Sequence, residues 1–272
     1  MNRVLDSAAV ERFVTDGFVK IEGAFDRETG KRCAGELWEQ IGLRADDPSS
    51  WTEPLIWVSG MSSPPFTAVA GTDALVSAYD ALVGPGRWRP RLGMGTFPLR
   101  FPSTEPPQAA GWHVEASFAG DDGGLRLSLR SRGRALLMLF LFSDVGVDDA
   151  PTLIRVGSHL AVPPFLADAG PEGRAWMDVC ADVVLATEDH SVVAATGRIG
   201  DVFLCHPFLV HTAQAHRGRV PRFMAQPPLE PTGELELDGD RLTPVAEAVR
   251  RGLASVLKPQ PGLNPVECSS GR

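Results

Sequence analysis

No apolar run in the sequence approaches the ~18 uninterrupted residues that a membrane-spanning helix needs, so a helical membrane protein is excluded. There is no basic run either. Lysine is nearly missing, with 3 (Lys20, Lys31, Lys258) beside 23 arginines, and the 26 basic and 34 acidic residues leave a net charge of −8. Nucleic-acid binding depends on neutralising phosphates, and this chain offers no surface for it. The four cysteines, Cys33, Cys180, Cys205 and Cys268, are scattered without a CxxC pair. They fit neither a disulfide framework nor a zinc cluster, and are read as free buried thiols. The opening MNRVLDSAAVERF has no apolar core and no small-residue cleavage site, which gives a cytoplasmic location as the expectation. In contrast, glycine and proline are plentiful. Their 28 and 23 residues make 51 of 272, against a usual share of about 12%. That punctuation argues against a helical bundle and for many short strands joined by turns.

The length suits one domain, 1–272. Residues 1–43 read as two helices and a strand. Ser7 is placed to cap a helix with Val10, Phe13 and Val14 on one face, and Gly17 stops it. Val19 and Ile21 alternate as a strand, and a second helix over 26–43 puts Ala34, Leu37, Trp38 and Ile41 on one stripe. The stretch 44–75, rich in Pro, Ser and Gly and carrying Trp51, Trp57, Met61 and Phe66, reads as a covering lid loop whose large side chains select the substrate. A helix is expected over 73–82. From 86 to 230 the chain becomes a series of short apolar runs between Gly, Pro and Asp: MGTFPLRF (94–101), GWHVEASF (111–118), ALLMLFLF (135–142), TLIRV (152–156), VVLA (183–186), DVFLCHPFLVH (201–211) and RFMAQ (222–226). Strands at such spacing indicate a barrel or sandwich. A last helix over 244–257 and a frayed tail, 258–272, complete the reading.

Six histidines could carry chemistry: His113, His159, His190, His206, His211 and His216. Residues two apart in a strand share a face, so His113 and Glu115 of WHVEAS project together and can bind one divalent ion. HxE alone is a weak signal, and a third ligand is needed. If 201–211 and 220–226 form a hairpin turning between His216 and Arg217, His211 lies opposite Arg222, while His206 falls on the other face and His216 in the turn. Two His and one carboxylate leave three positions open on an octahedral ion, the arrangement of non-haem Fe(II) oxygenases. An interior arginine suits a cosubstrate with a distal carboxylate, held by a bidentate fork. Both features fit 2-oxoglutarate.

The sequence resembles the phytanoyl-CoA dioxygenase-like branch of the Fe(II)/2-oxoglutarate oxygenases. The resemblance runs through ERFVTDGFVKIEGAF, GWHVEASF, the loop APTLIRVGSH, similar to that family's G-x-L-x-V-x-P-G-S-H stretch, and GDVFLCHPFLVHTAQAHRGRVPRF. It implies a mostly β fold with flanking helices, a double-stranded β-helix or jelly roll. His113, Glu115 and His211 become the iron ligands and Arg222 the anchor of the 2-oxoglutarate C5 carboxylate. The cofactors implied are Fe(II), 2-oxoglutarate and O2, the products succinate and CO2, and the partner a small-molecule substrate, hydroxylated by default; relatives also desaturate, epimerise or close rings. The family usually has HxD where this chain has HxE, and Glu115 adds a methylene. A small hydroxyl residue is common two positions after the distal His, where Ala213 stands here, and Thr152 is the expected replacement donor. Arg100 and Arg155 are candidates for a substrate or cosubstrate carboxylate, or else surface or salt-bridged arginines. Trp112 and Phe118 are read as pocket wall or core, and Trp57 as a substrate contact. Two rival readings remain at this level: a zinc hydrolase, which explains the triad but not the interior arginine, and a jelly-roll binding module without catalysis.

Overall fold

The structure, a computed structural model, describes residues 5–256; the expected tail, Lys258 and Cys268 lie outside the described residues. The chain opens with α1 (Ser7–Asp16), β1 (Phe18–Ile21) and α2 (Arg27–Ile41), followed by β2 (Leu55–Ser59), α3 (Pro64–Ala70) and α4 (Asp73–Leu82). Then come β3 (Thr96–Arg100), β4 (Phe118–Ala119), β5 (Leu125–Leu127), β6 (Leu136–Leu141) and β7 (Leu153–Arg155). The last third holds α5 (Pro163–Leu166), β8 (Arg174–Ala175), α6 (Trp176–Ala186), β9 (Val192–Ala194), β10 (Val202–Cys205), β11 (His211–Thr212), β12 (Met224–Ala225), β13 (Pro228–Leu229) and α7 (Pro244–Val256).

The architecture is a jelly roll. Its larger sheet runs β1-β10-β6-β12, with β13 also on β6, and all pairs are antiparallel. The facing sheet is β11-β7-β9. Strand β6 shows why its sequence is continuously apolar. Leu137, Leu139 and Leu141 point between the sheets to meet Ile154, Phe203 and Met224, while Leu136, Met138 and Phe140 point the other way into the core beneath the helices. Both faces of the strand are covered, so neither can be polar. Past β12 the larger sheet continues through a bridge between Arg100 and Arg222 to β3, which pairs with β2.

Several expectations need correction. Asp6, not Ser7, caps α1, its carboxylate accepting from the Ala9 amide; Gly17, at φ 90°, ends the helix as expected. The run 183–186 is the end of α6, because Val179, Cys180 and Val183 form one buried helical face that overrides β-branched propensity. Residues 44–75 are not a free loop. They contain β2 and α3; Trp51 packs on Trp38 at 6.0 Å, Met61 rests against the core, and Phe66 is buried against Phe97 and Phe142. The strand expected over 201–211 breaks after Cys205, where a turn closed by Leu209 N–H to His206 O surrounds Pro207, which has no N–H for a ladder.

Two buried imidazoles sit where α1 and α7 meet the 158–161 turn. His159 donates from Nε2 to Val14 O at 3.1 Å, and His206 donates from Nε2 to Val245 O at 3.2 Å, their rings 4.9 Å apart. Burial drives the pKa of His159 down to about 4 and that of His206 well below its usual 6.5. Both stay neutral in the fold but gain protons when unfolded, so stability falls as pH drops below 6.5 and levels off near 4 for His159. His159 alone should remove on the order of 3 kcal/mol over that window. Denaturant titration at pH 7 and pH 4.5 should show that loss in the wild type and a smaller one in His159→Gln.

Candidate metal centre

Three short elements meet at one end of the roll. His113 and His211 form a reciprocal backbone pair, each N–H donating to the other's carbonyl at 3.0 Å. A second tie, Gly111 N–H to Thr212 Oγ1 at 3.0 Å, holds the same two segments together. Apart from this bridge, 111–117 is extended but joins no ladder, so the expected strand is local and incomplete. The face-sharing of His113 and Glu115 nonetheless holds. The ligand-type atoms of His113, Glu115 and His211 all lie within 4.8 Å of one another, and no other group of this kind occurs among the described residues.

The ring tautomers follow from their partners. His113 Nδ1 lies 2.7 Å from Gly111 O and His211 Nδ1 lies 3.0 Å from Leu209 O. A carbonyl only accepts, so each Nδ1 carries the proton and each Nε2 presents its lone pair. Both Nε2 atoms face the same oxygen, Glu115 Oε1, at 4.0 Å and 3.5 Å. Burial, and then the neighbouring His211, lower the pKa of His113 and favour the neutral ring that a metal requires. Two imidazole lone pairs and a carboxylate oxygen converging from three directions are a donor set for a divalent transition ion.

The second carboxylate oxygen is held by a residue that the sequence reading missed. Arg134 Nη2 donates to Glu115 Oε2 at 3.2 Å and its Nε to Ala116 O at 3.4 Å. The turn before β6 sets this up. Ser131 adopts φ 39° and donates to Arg134 O, and Gly133 lies so close to Ser117 O that a side chain there would strike the backbone. Burial pushes the Glu115 carboxyl upward, while the positive charge of Arg134 beside it lowers it toward the ionised form. No periodicity or motif marks Arg134, because its role depends on a turn folding back 19 residues onto the ligand segment.

A cleft of about 660 Å3 opens over this group. Its lining includes His113, Glu115, His211, Arg134, Arg100, Arg222, Trp57 and Trp112, together with Trp176, Cys180 and Gln226, which the sequence did not single out. Trp176 donates to Val114 O at 2.6 Å and so fastens α6 to the ligand segment. Arg222 is buried, donating to Ala150 O at 2.7 Å and Pro98 O at 2.9 Å, with its Nε unpartnered. Its cross-strand partner is Arg100, not His211. His211 instead pairs with Ile154 on β7 and with His113, so the hairpin expected between His211 and Arg222 does not form, although both side chains reach the same cleft. Arg100 is buried and without a carboxylate partner, contrary to the surface or salt-bridged alternative.

Three expected contacts lie off the cleft. Arg155 donates to Val184 O and Thr187 Oγ1 beneath α6 and stacks on the outer face of Trp112 at 4.4 Å. Thr152 is buried with its hydroxyl toward Met224 Sδ at 3.9 Å. Phe118 stacks under Arg132 on β4. All three are drawn into packing elsewhere by partners distant in sequence.

Removing the Arg134 contact frees Oε2 and lets the longer glutamate wander. Partners that orient a metal ligand are typically worth 10–100-fold in affinity, so Arg134→Ala should weaken Ni(II) binding by roughly that factor and Arg134→Lys by less, as read by calorimetric titration.

No curated protein matches the chain. Among solved structures, the fold is similar to HygX from Streptomyces hygroscopicus with nickel and 2-oxoglutarate bound, at 18% identity and a TM-score of 0.56, over 84% of this chain and 88% of that one. It is also similar to EctD from S. alaskensis, at 20% identity, a TM-score of 0.53 and coverages of 83% and 76%. The non-heme alpha-ketoglutarate-dependent epimerase SnoN from nogalamycin biosynthesis aligns at 19% identity and a TM-score of 0.54, over 81% and 82% of the two chains. The family model for phytanoyl-CoA dioxygenase (PhyH) matches residues 71–224, 154 of the 272, and the chain belongs to that family of iron- and 2-oxoglutarate-dependent oxygenases.

Proposed function

We propose that this oxygenase hydroxylates a small-molecule metabolite in a cytoplasmic biosynthetic pathway, with His113, Glu115 and His211 holding iron and Arg222 receiving the distal carboxylate of 2-oxoglutarate. The observation that carries this reading is the pairing of two proton-fixed imidazoles and one carboxylate oxygen with a buried arginine that has no acid partner, all on one cleft. When bound, the metal and cosubstrate supply oxidation by O2, with release of succinate and CO2. The protein's part is placement. Backbone carbonyls keep both Nδ1 protons away from the ligand atoms, Arg134 keeps Glu115 ionised and turned with Oε1 inward, and Arg222 offers its free Nε and remaining Nη hydrogens to an anion.

Among the similar solved structures, HygX is seen with hygromycin B and EctD with 5-hydroxyectoine. That supports a small-molecule partner, and the relation to an epimerase makes the fate of the oxidised carbon a matter for product analysis.

Fe(II)-dependent release of succinate from 2-oxoglutarate tests the reading directly. His113→Ala and His211→Ala should each lower turnover by at least ~100-fold. Arg222→Ala should raise the KM for 2-oxoglutarate by about 10–100-fold, the worth of a lost charge-assisted pair, while leaving Ni(II) affinity unchanged. Normal turnover in His211→Ala would remove that residue from the site.

A further inference from the structure

An acidic protein has built a cationic cleft. The charged residues lining it are Arg100, Arg134, Arg222 and a single carboxylate, Glu115. Arg134 is paired with Glu115 at 3.2 Å. Arg222 is met, in the function proposed above, by the one carboxylate of 2-oxoglutarate that does not go to the metal. Arg100 is left over. Its Nη2 donates to Gln108 O at 2.9 Å, and among the described residues its buried Nε has no partner and no acidic side chain lies within salt-bridge reach. It stands directly across from Arg222, the two backbones exchanging N–H to O bonds of 3.1 Å and 2.8 Å, so both side chains leave the same face of the sheet. Two buried guanidinium groups side by side repel each other, and each has given up its hydration, a costly arrangement unless anions arrive for both.

The loaded cleft carries a surplus of positive charge. A divalent ion and three arginines face one glutamate and the two carboxylates of 2-oxoglutarate, which leaves two positive charges unanswered. Trp57, Trp112 and Trp176 provide apolar wall in the same cleft. We propose that Arg100 is the substrate anchor and that the enzyme's substrate is a small organic anion, held by a carboxylate or phosphate head at Arg100 with its apolar body against these tryptophans. The inference rests on the function proposed above for the assignment of Arg222 to the cosubstrate.

The test uses Ni(II)-loaded protein saturated with 2-oxoglutarate, titrated calorimetrically with phenylacetate, phenyl phosphate and neutral phenylacetamide. At least one anion should bind about tenfold or more tightly than the amide, and Arg100→Ala should bring it down to the amide's affinity while Arg100→Lys keeps part of the preference. The tighter of the two anions identifies the head group. In Arg100→Ala the affinity for 2-oxoglutarate should change by less than about twofold, in contrast to Arg222→Ala. Should Arg100→Ala prove unstable, Arg100→Gln keeps a donor for Gln108 O and serves the same comparison. Equal binding of anion and amide, or no binding of any probe, overturns the proposal. So does loss of 2-oxoglutarate affinity in Arg100→Ala matching that in Arg222→Ala, which would make Arg100 a second cosubstrate clamp. Failure of wild-type Ni(II) protein to bind 2-oxoglutarate at all would instead sink the function proposed above, and the same probes titrated into metal-free protein would still report on Arg100.

Discussion

The reciprocal hydrogen bonds between the backbones of His113 and His211, with the Gly111–Thr212 tie beside them, join the two segments that carry the site. One of them, 111–117, belongs to no ladder, and the other, β11, is two residues long. A single antiparallel bridge brings the two rings to a centroid distance of 4.4 Å, and the carbonyls of Gly111 and Leu209, one on each segment, then orient them. Had this register slipped by one residue, one imidazole would turn to the opposite face. Helix α6, tied to Val114 O through Trp176, and the tight turn at Gly133 brace the outer side of the same join.

Glutamate in place of the family's usual aspartate brings an extra rotatable bond, and the fold restrains it. The guanidinium of Arg134 occupies Oε2, leaving Oε1 turned toward the two Nε2 atoms, and its charge favours the ionised carboxylate. The fixed hydrogen bond costs little entropy here, because the 131–134 turn is already committed by the positive φ at Ser131 and by the backbone contact that only glycine permits. The Glu115 carboxylate and its supporting turn thus form one unit spread over 20 residues.

Charge is arranged on the same logic at larger scale. The chain as a whole is acidic, whereas the cleft concentrates arginine with one opposing carboxylate, so its local charge runs against the overall sign of the chain. Burial makes Arg100 and Arg222 expensive alone and effective with an anion.

Much of this was legible beforehand. Short-range chemistry announced α1, β1 and α2 through apolar stripes, alternation and the stop at Gly17, while His113, Glu115, His211 and Arg222 stood out through side-chain type, spacing and the resemblance of their segments to the family's motifs. Arg222 was reached through a hairpin that does not exist: its true partner is Arg100, and His211 lies across from Ile154, since pairing between distant strands leaves no trace in the spacing of either. The same limit hid the helix over 183–186 and the packed character of 44–75, where burial against other elements overrides local propensity. Sequence alone determined which donor atoms exist and roughly which faces they share, because those depend on residue type and strand or helix period. Only the tertiary structure decided which arginine holds the glutamate and which one is left without an acid, because those contacts are set by backbone approaches between segments far apart in the chain.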